Sequence, residues 1–281
     1  IGAMSVGARG VFNAAYAPML FDVGRVPFPA EDPQPTLDAL EAECAAGAAA
    51  FIVEPLVLGA GGMLMYPPAV LGEMRAICAR HGTLFIADEV MTAWGRTGTL
   101  TACEQADVVP DIMCLSKGLT AGYLPLSVVL TTDDVYNAFY DDYETLKAFL
   151  HSHSYTGFPI GCAVALATLD IFRDDNVIES NRALSTCMAK SVAHLAEHPN
   201  VGDIRQHGMT MAVEMVKDKA SKTPFPWQER RGIRVYQHAL TRQALLRPLG
   251  NVVYFMPPYV ITEEQIRHLG QVATEGIEIA V

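Results

Sequence analysis

The sequence predicts an α/β fold with a mostly parallel sheet, followed by a smaller α+β part. Short continuous apolar runs, such as 48–59 and 83–90, alternate with segments of helical periodicity, which is typical of parallel strands buried on both faces. Later in the chain the pattern changes to a half-exposed strand and amphipathic helices. We therefore expect a large domain over residues 1–175 and a small domain over residues 176–281.

The large domain is predicted from apolar runs and helical stripes in alternation. The runs predict four strands, at 48–59, 83–90, 110–118 and 124–132. The stripes predict helices at 37–47, 66–82 and 159–173, the last of them long and buried. In the second helix Pro67 and Pro68 suit the first turn and Gly82 suits the C-terminal cap.

The small domain is predicted to be a mixture of strands and helices. Its elements are a helix at 183–195, a half-exposed strand at 201–216, a helix at 230–244, a strand at 251–259 and a helix at 262–280. Thr262 and Gln265 have the spacing of a capping box, so the last helix is expected to begin there.

Composition excludes several classes of function. With 281 residues, of which 51% are hydrophobic, the chain can bury a sizeable core. A formal net charge of −11 argues against a nucleic-acid partner, and the absence of a basic amphipathic stretch argues against a membrane-surface role. The six cysteines form no CxxC pair, so we expect free thiols in a reducing compartment and a cytoplasmic protein.

Two of the predicted strands end in reactive side chains. One run ends in Asp88 and Glu89, and another ends in Lys117 between the small residues Ser116 and Gly118. Because ligands gather at the carboxyl ends of strands in an open parallel sheet, Asp88 and Lys117 are expected to face the same crevice. A buried carboxylate and a buried lysine are costly unless something pairs with both.

Pyridoxal 5'-phosphate is a cofactor that uses both groups. Its aldehyde forms an imine with a lysine, and its ring withdraws electrons when a carboxylate keeps the pyridine nitrogen protonated. Spacing alone leaves two other interpretations open. Lys117 could end its strand in solvent, or Asp88 and Glu89 could hold magnesium in a nucleotide hydrolase, although the chain has no GxxxxGK[ST] loop.

Four segments carry a family resemblance. In order they are "IVEPLVLGAGGM", "LFIADEVMTAWGRTG", "PDIMCLSKGLTAGYLPLS" and "HSHSYTGFPIGCAVA". They resemble consecutive motifs of the class III (omega-type) aminotransferases, a branch of the fold-type I pyridoxal phosphate enzymes. The resemblance runs from Ile1 to Val281 and implies a homodimer whose active site is shared across the interface.

The resemblance implies a role for each matching residue. Lys117 matches the lysine that forms the imine, Asp88 the partner of the pyridine nitrogen, and Val90 the apolar residue packed against the ring. Ser154 matches the hydroxyl that reaches the cofactor phosphate of the neighbouring subunit. A hydroxyl suits this task because it is a neutral donor to a phosphate.

Two histidines and an arginine are further candidates. His151 and His153 are separated by one residue, so on a strand both would lie on the same face, which is compatible with a metal site. No third ligand accompanies them, so we assign no metal. We count His153 and Arg96 with the residues of the substrate pocket.

One more motif points to a more specific class of substrate. "LLRPLGNVVYFMPPYVIT" resembles the C-terminal signature of the biotin-pathway members of this family, in which the arginine that matches Arg247 holds the substrate carboxylate in a bidentate pair. This implies conversion of 8-amino-7-oxononanoate to 7,8-diaminononanoate, with S-adenosylmethionine or lysine as amino donor. The alternative is transamination of another omega-amino acid or diamine with pyruvate or 2-oxoglutarate.

The chain departs from the family pattern in three places. Leu58 replaces a glutamine, Ser152 a glycine and Phe158 an asparagine. We also expect the family's N-terminal segment to be absent from this chain. In the family that segment supplies a phosphate-binding turn and the aromatic side chains of the pocket.

Overall fold

The structure is a computed structural model that describes residues 1–10 and 13–281. Its helices within these residues are α1 (Gly2–Val6), α2 (Gln34–Ala45), α3 (Pro68–His81), α4 (Asp133–Asn137), α5 (Pro159–Asp174), α6 (Val177–Val192), α7 (Arg231–Thr241) and α8 (Glu263–Ala280). Its strands are β1 (Ala50–Val53), β2 (Val57–Leu58), β3 (Leu64–Met65), β4 (Leu84–Asp88), β5 (Ile112–Leu115), β6 (Val128–Thr131), β7 (Val201–His207), β8 (Thr210–Asp218), β9 (Thr223–Pro224), β10 (Pro248–Leu249) and β11 (Val252–Phe255).

The first sheet has the strand order β1-β4-β5-β6. β1, β4 and β5 are parallel, and β6 is antiparallel to β5 at the edge. The predicted α/β fold with a mostly parallel sheet is confirmed. Since all three parallel strands end at the same edge, this edge collects the residues that follow Val53, Asp88 and Leu115.

Helices α2 and α3 cover one face of this sheet. Phe85 and Ala87 of β4 are fully buried in the same cluster as Leu40, Leu71 and Met74 of the two helices. The predicted C-terminal end of α3 is confirmed, because the helix stops at Gly82 in the left-handed conformation (φ +67°), which glycine adopts without strain. The helix predicted at 183–195 begins earlier, since α6 starts at Val177.

Helix α5 was expected to be buried, and this was wrong. Its buried residues are the small Gly161, Ala165 and Thr168, and of its large side chains Phe172 packs inward against Trp94. Other large side chains point outward, and Ile160 is 62% and Leu166 63% exposed. The helix therefore presents a stripe of small residues inward and an apolar face outward.

The run 48–59 was expected to be one strand, and it is two. β1 ends at Val53, and β2 belongs to a separate hairpin with β3. Pro55 lacks the N–H of a ladder bond, and Leu56 has φ +64°, so the chain turns between the strands. This turn places Glu54 at the carboxyl edge of the first sheet.

The second sheet is antiparallel, with the order β10-β11-β8-β7 and β9 paired to β8. The segment 201–216, expected as one half-exposed strand, is the β7–β8 hairpin, with Gly208 in its turn at φ +53°. Most of β8 is buried beneath helices that include α7 and α8. Helix α8 begins with the predicted capping box of Thr262 and Gln265.

The second sheet packs against the core of the first, and one of its arginines contacts the β2–β3 hairpin. Ala212 and Val252 of the second sheet belong to the core cluster of the first. Arg205 of β7 donates to the carbonyls of Gly62 at 2.7 Å and Met63 at 2.6 Å, in the β2–β3 hairpin. The division into two domains near residue 175 stays a prediction. Across residues 1–10 and 13–281, no helix is long and apolar enough to cross a membrane.

Candidate active site

The carboxyl ends of β4 and β5 lie side by side. Ile86 pairs with Ile112 and Asp88 pairs with Cys114 in parallel register. Lys117 follows three residues after Cys114, in the short 3-10 helix Lys117–Thr120. The two residues singled out by sequence therefore follow neighbouring strands at one edge of the sheet.

Asp88 is half-buried and is fixed by the backbone after it. Its Oδ1 accepts the N–H of Val90 at 3.2 Å. This bond holds one carboxylate oxygen against its own loop. Asp88 shares its side of the sheet with Cys114, and burial together with the Asp88 charge raises the pKa of that thiol.

Lys117 sits on a tightly constrained backbone. It has φ +46°, in the left-handed region that a lysine seldom adopts. The preceding Ser116 donates its hydroxyl to the carbonyl of Leu126 at 2.7 Å. Lys117 was expected to be buried beside Asp88, but its side chain is exposed. Backbone strain of this kind clusters at functional sites, so the conformation of Lys117 is consistent with a position in such a site.

A third ionisable residue lies at this edge, and sequence reasoning missed it. Glu54 follows β1, is partly buried, and its Oε2 accepts the N–H of Gly59 at 3.0 Å. Burial is the main cause that raises the pKa of Glu54; Asp88 raises it further, while the Gly59 N–H and Lys117 lower it. The sequence did contain a signal for Glu54, because this residue follows an apolar run, as Asp88 does.

The magnesium interpretation of Asp88 and Glu89 does not fit the structure. Glu89 is fully buried, and its two oxygens accept the Thr92 hydroxyl at 2.5 Å and the Cys103 N–H at 2.8 Å. Both oxygens of Glu89 are thus occupied within the protein. Within residues 1–10 and 13–281 no group of three or more His, Cys, Asp or Glu side chains is arranged to hold a metal ion.

Arg96 joins the loop after β4 to the segment after β11. Its Nη1 donates to the carbonyl of Pro257 at 2.6 Å, and its guanidinium lies 4.5 Å from the ring centroid of Tyr259. Tyr259 in turn donates its hydroxyl to the carbonyl of Trp94 at 2.6 Å. Burial raises the pKa of Tyr259 to about 12, so it remains a neutral donor.

Three of the predicted site residues lie on exposed parts of the chain. Ser154 and His153 belong to the loop before α5, where the Nδ1 of His153 accepts the N–H of Tyr155 at 3.1 Å. Arg247 is exposed just before β10. For Ser154 and Arg247 no side-chain hydrogen bond is found to any other described residue, so both are free to contact a ligand or a second chain.

The loop before α5 is rich in large apolar side chains that contact little of this chain. Tyr143 is 89%, Leu146 78% and Leu150 91% exposed. Ordinary monomeric surfaces carry isolated apolar side chains, whereas a concentration of them marks an interaction surface. The loop that holds Ser154 is therefore a candidate interface.

The amino-acid sequence is similar to those of known aminotransferases. Residues 1–275 match the family Aminotransferase class-III. Over 296 residues, the chain is 42% identical to an adenosylmethionine-8-amino-7-oxononanoate aminotransferase of Geobacter sulfurreducens, covering 100% of this chain and 64% of the relative. The chain thus spans less than two thirds of that relative's length.

Solved structures agree in fold. The crystal structure of adenosylmethionine-8-amino-7-oxononanoate aminotransferase from Methanocaldococcus jannaschii superimposes with a TM-score of 0.92 at 37% identity, covering 100% of this chain and 65% of that one. The crystal structure of a thermostable omega transaminase mutant from Pseudomonas jessenii gives a TM-score of 0.88 at 28% identity, covering 100% of this chain and 65% of that one.

Proposed function

This chain belongs to the class III aminotransferase family, and on that premise we propose that it carries the lysine and the acid of a transamination site. The observation that supports the proposal is that Asp88 and Lys117 lie at the ends of neighbouring parallel strands, at one edge of the sheet. A carboxylate and a primary amine at one sheet edge are the two groups that pyridoxal 5'-phosphate requires.

The side chains present fit that cofactor. Asp88 has one oxygen bonded to its own loop and a second that suits a protonated ring nitrogen. Lys117 offers the amine that reacts with an aldehyde, and the half-buried Val90 offers an apolar contact to a ring. When bound, the cofactor supplies an electron-withdrawing ring that lets a proton leave the substrate carbon.

Each residue then has a defined task. Asp88 keeps the ring nitrogen protonated. Lys117 would hold the cofactor covalently, and once released its amine would act as the base and acid that moves a proton off and onto the substrate carbon. Ser154 would donate its hydroxyl to the phosphate of the cofactor in the neighbouring subunit, which would make a homodimer necessary for activity. The exposed apolar loop around Tyr143 and Leu150 supports such a partner.

We propose 8-amino-7-oxononanoate as amino acceptor and S-adenosylmethionine or lysine as donor. The names of the relatives from Geobacter sulfurreducens and Methanocaldococcus jannaschii support this choice. Arg247 is an exposed guanidinium without a protein partner in the described chain, and it suits the carboxylate of the acceptor. His153 and Arg96 are proposed at the rim of the same pocket.

A second candidate is a transaminase of other omega-amino acids or diamines. The similarity to the omega transaminase from Pseudomonas jessenii favours it, with a TM-score of 0.88. Arg247 discriminates between the two, because small amines carry no carboxylate for it to hold. We also propose two domains, 1–175 and 176–281, and a cytoplasmic location, which the six free cysteines support.

The proposal is tested on the protein in its full natural length. Purified protein should absorb in the near-ultraviolet to blue, and borohydride reduction followed by peptide mass spectrometry should locate the cofactor on Lys117. Lys117→Ala should leave no cofactor fixed to the protein after borohydride reduction, whereas Lys190→Ala, at an exposed position, should change neither the band nor the adduct. A colourless protein that takes up no pyridoxal 5'-phosphate would contradict the proposal.

Activity then decides the substrate. The holoenzyme is assayed with 8-amino-7-oxononanoate against S-adenosylmethionine and against lysine. Turnover with one donor identifies the reaction. Turnover only with other omega-amines would favour the second candidate.

A further inference from the structure

Tyr259 contacts the turn that follows Asp88, and the proposed function assigns it no role. It lies shortly after β11, and its hydroxyl donates to the carbonyl of Trp94 at 2.6 Å. No other donor of the described residues bonds to that carbonyl. Within the described chain, the position of the Trp94 carbonyl therefore depends on the hydroxyl of Tyr259.

The backbone of Trp94 is strained, and its side chain makes no hydrogen bond. Trp94 has φ +61°, in the left-handed region that a residue with a large side chain seldom adopts. Its indole N–H is buried and has no acceptor among the described residues. Its backbone N–H donates to the carbonyl of Leu100 at 2.6 Å. Trp94 is thus held by packing and by two backbone bonds, one of which comes from Tyr259.

The indole of Trp94 lies directly against the residue that follows Lys117. A Cβ on Gly118 would lie 2.9 Å from Cγ of Trp94, closer than side chains approach each other. Lys117 has φ +46°, so the two strained residues meet through Gly118. A strained conformation persists only where the surrounding structure holds it. A displacement of the indole should therefore let the backbone of Lys117 relax.

The ring of Tyr259 has contacts of its own. It meets Phe172 of α5 edge-on, with 6.3 Å between the ring centroids, and Phe172 packs against Trp94 at 6.1 Å. The guanidinium of Arg96 lies 4.5 Å from the centroid of the same tyrosine ring. A phenylalanine at this position would keep these ring contacts and lose only the bond to the Trp94 carbonyl.

We propose that Tyr259 is a positioning residue for Lys117. Its hydroxyl holds the carbonyl of Trp94, and the indole of Trp94 in turn fixes the backbone from which the Lys117 amine extends. The inference rests on the proposed function, because the position of this amine matters for its reaction with the cofactor. A reacting group displaced by about 1 Å can lose about a hundredfold in rate. The segment after β11 thus sets the position of an amine that follows β5.

The first test uses the full-length protein without cofactor, and its readout is amide hydrogen exchange followed by mass spectrometry. Tyr259→Phe should exchange about three- to tenfold faster in peptides that contain residues 94–100 and 117–121, because one hydrogen bond is lost. Peptides of α2 and α3 should exchange as in the wild type. Tyr236→Phe, on α7, is the matched control, since the hydroxyl of Tyr236 bonds to no other described residue.

A double variant tests whether the indole transmits the effect. Trp94→Ala removes the ring that lies against Gly118 but keeps the backbone carbonyl. In this background Tyr259→Phe should cause no further change in exchange at 117–121, since the contact between the two sites is gone. Additive effects of the two substitutions would overturn the inference. Circular dichroism checks that each variant folds.

The second test adds pyridoxal 5'-phosphate. Tyr259→Phe should bind it about three- to tenfold more weakly, and kcat of the cofactor-saturated enzyme should fall about tenfold. KM for the amino acceptor should stay within about twofold of the wild type, because phenylalanine keeps the ring beside Arg96. A residue that only stabilised the fold would leave kcat of the folded, saturated enzyme unchanged.

Three further results would overturn the inference. If exchange rises at 94–100 but not at 117–121, the hydroxyl holds its own turn and does not act on Lys117. If Tyr236→Phe raises exchange at 117–121 equally, the effect is a general loss of stability. If kcat of Tyr259→Phe equals that of the wild type, the amine is not displaced. Failure of the proposed function is recognised separately, because the wild-type protein would then take up no cofactor, while the exchange result would stand.

Discussion

The indole of Trp94 lies against the backbone of Gly118, the residue after Lys117. A Cβ on Gly118 would lie 2.7 Å from Cδ1 and 2.9 Å from Cβ of Trp94, closer than side chains approach each other. Trp94 is itself held in an apolar cluster with Leu115 and Leu119. The small residue after Lys117 is therefore required by the packing of the indole, and this packing fixes the backbone on which the lysine stands.

Gly118→Ala should destabilise the protein and disturb the lysine. The new methyl group forces Trp94 or the Lys117 backbone to move, which should lower the free energy of unfolding by about 1–3 kcal/mol. Denaturant unfolding measures the loss, and titration with pyridoxal 5'-phosphate measures the effect on Lys117. Gly10→Ala is the control, since a Cβ there would have no atom of the described residues within 4 Å. Equal stability of both variants and the wild type would contradict the contact.

Arg205 should contribute more to stability than an ordinary surface arginine. Its side chain is only 11% exposed, pairs with Glu214 at 2.6 Å and Asp203 at 2.8 Å, and donates to the carbonyls of Gly62 and Met63. Arg205→Met leaves these acceptors unpaired, so we expect a loss of about 2–4 kcal/mol in the free energy of unfolding.

The control for Arg205 is an exposed ion pair on α6. Arg182 bonds to Glu179 at 3.0 Å with 69% of its side chain exposed. Arg182→Met should change the free energy of unfolding by no more than about 0.5 kcal/mol. Denaturant titration of both variants makes the comparison. A similar loss in the two variants would show that the contacts of Arg205 with the β2–β3 hairpin add nothing.

Much of the fold was predictable because its signals are local. Gly82 ends α3 and Thr262 begins α8 as predicted, since a left-handed cap and a capping box depend on a few neighbouring residues. The ends of β4 and β5 were predictable for a similar reason. A continuous apolar run that stops at a charged residue gives both the strand and its end, and so placed Asp88 and Lys117 at one edge.

The errors arose where the outcome depends on distant contacts. The run 48–59 is uniformly apolar, and only the pairing of β2 with β3 reveals that the chain turns at Leu56. Helix α5 is mostly apolar, which in a sequence resembles burial, but in this chain it buries mainly small residues. Glu54 was missed because its importance comes from Asp88 on a neighbouring strand.

Arg247→Ala should separate the two candidate substrates. If Arg247 holds a carboxylate, the variant loses a charged hydrogen-bonded pair with about 1.5–3 kcal/mol of binding free energy, and KM for 8-amino-7-oxononanoate should rise about ten- to a hundredfold. Activity with small amines should stay unchanged. Steady-state kinetics of the full-length enzyme measure both. Arg267→Ala, at an exposed pair of α8, is the control, and an unchanged KM for the Arg247 variant would contradict the assignment.

Glu54 should give folding stability a characteristic dependence on pH. Burial, with a contribution from Asp88, raises the pKa of Glu54 above the ordinary value of 4.5. The folded protein then keeps a proton that the unfolded chain releases, so the free energy of unfolding falls as pH rises from 4.5 through the raised pKa. Below 4.5 both states are protonated, and the group adds no pH dependence.

Glu54→Gln has no proton to release and should therefore gain in stability relative to the wild type as pH rises from 4.5 through the raised pKa. Denaturant unfolding at a series of pH values measures the difference, with Glu73→Gln as the control. A wild-type protein that instead gains stability over Glu54→Gln as pH rises would mean that the pKa of Glu54 is lowered by folding, with Lys117 outweighing the burial of the carboxyl group.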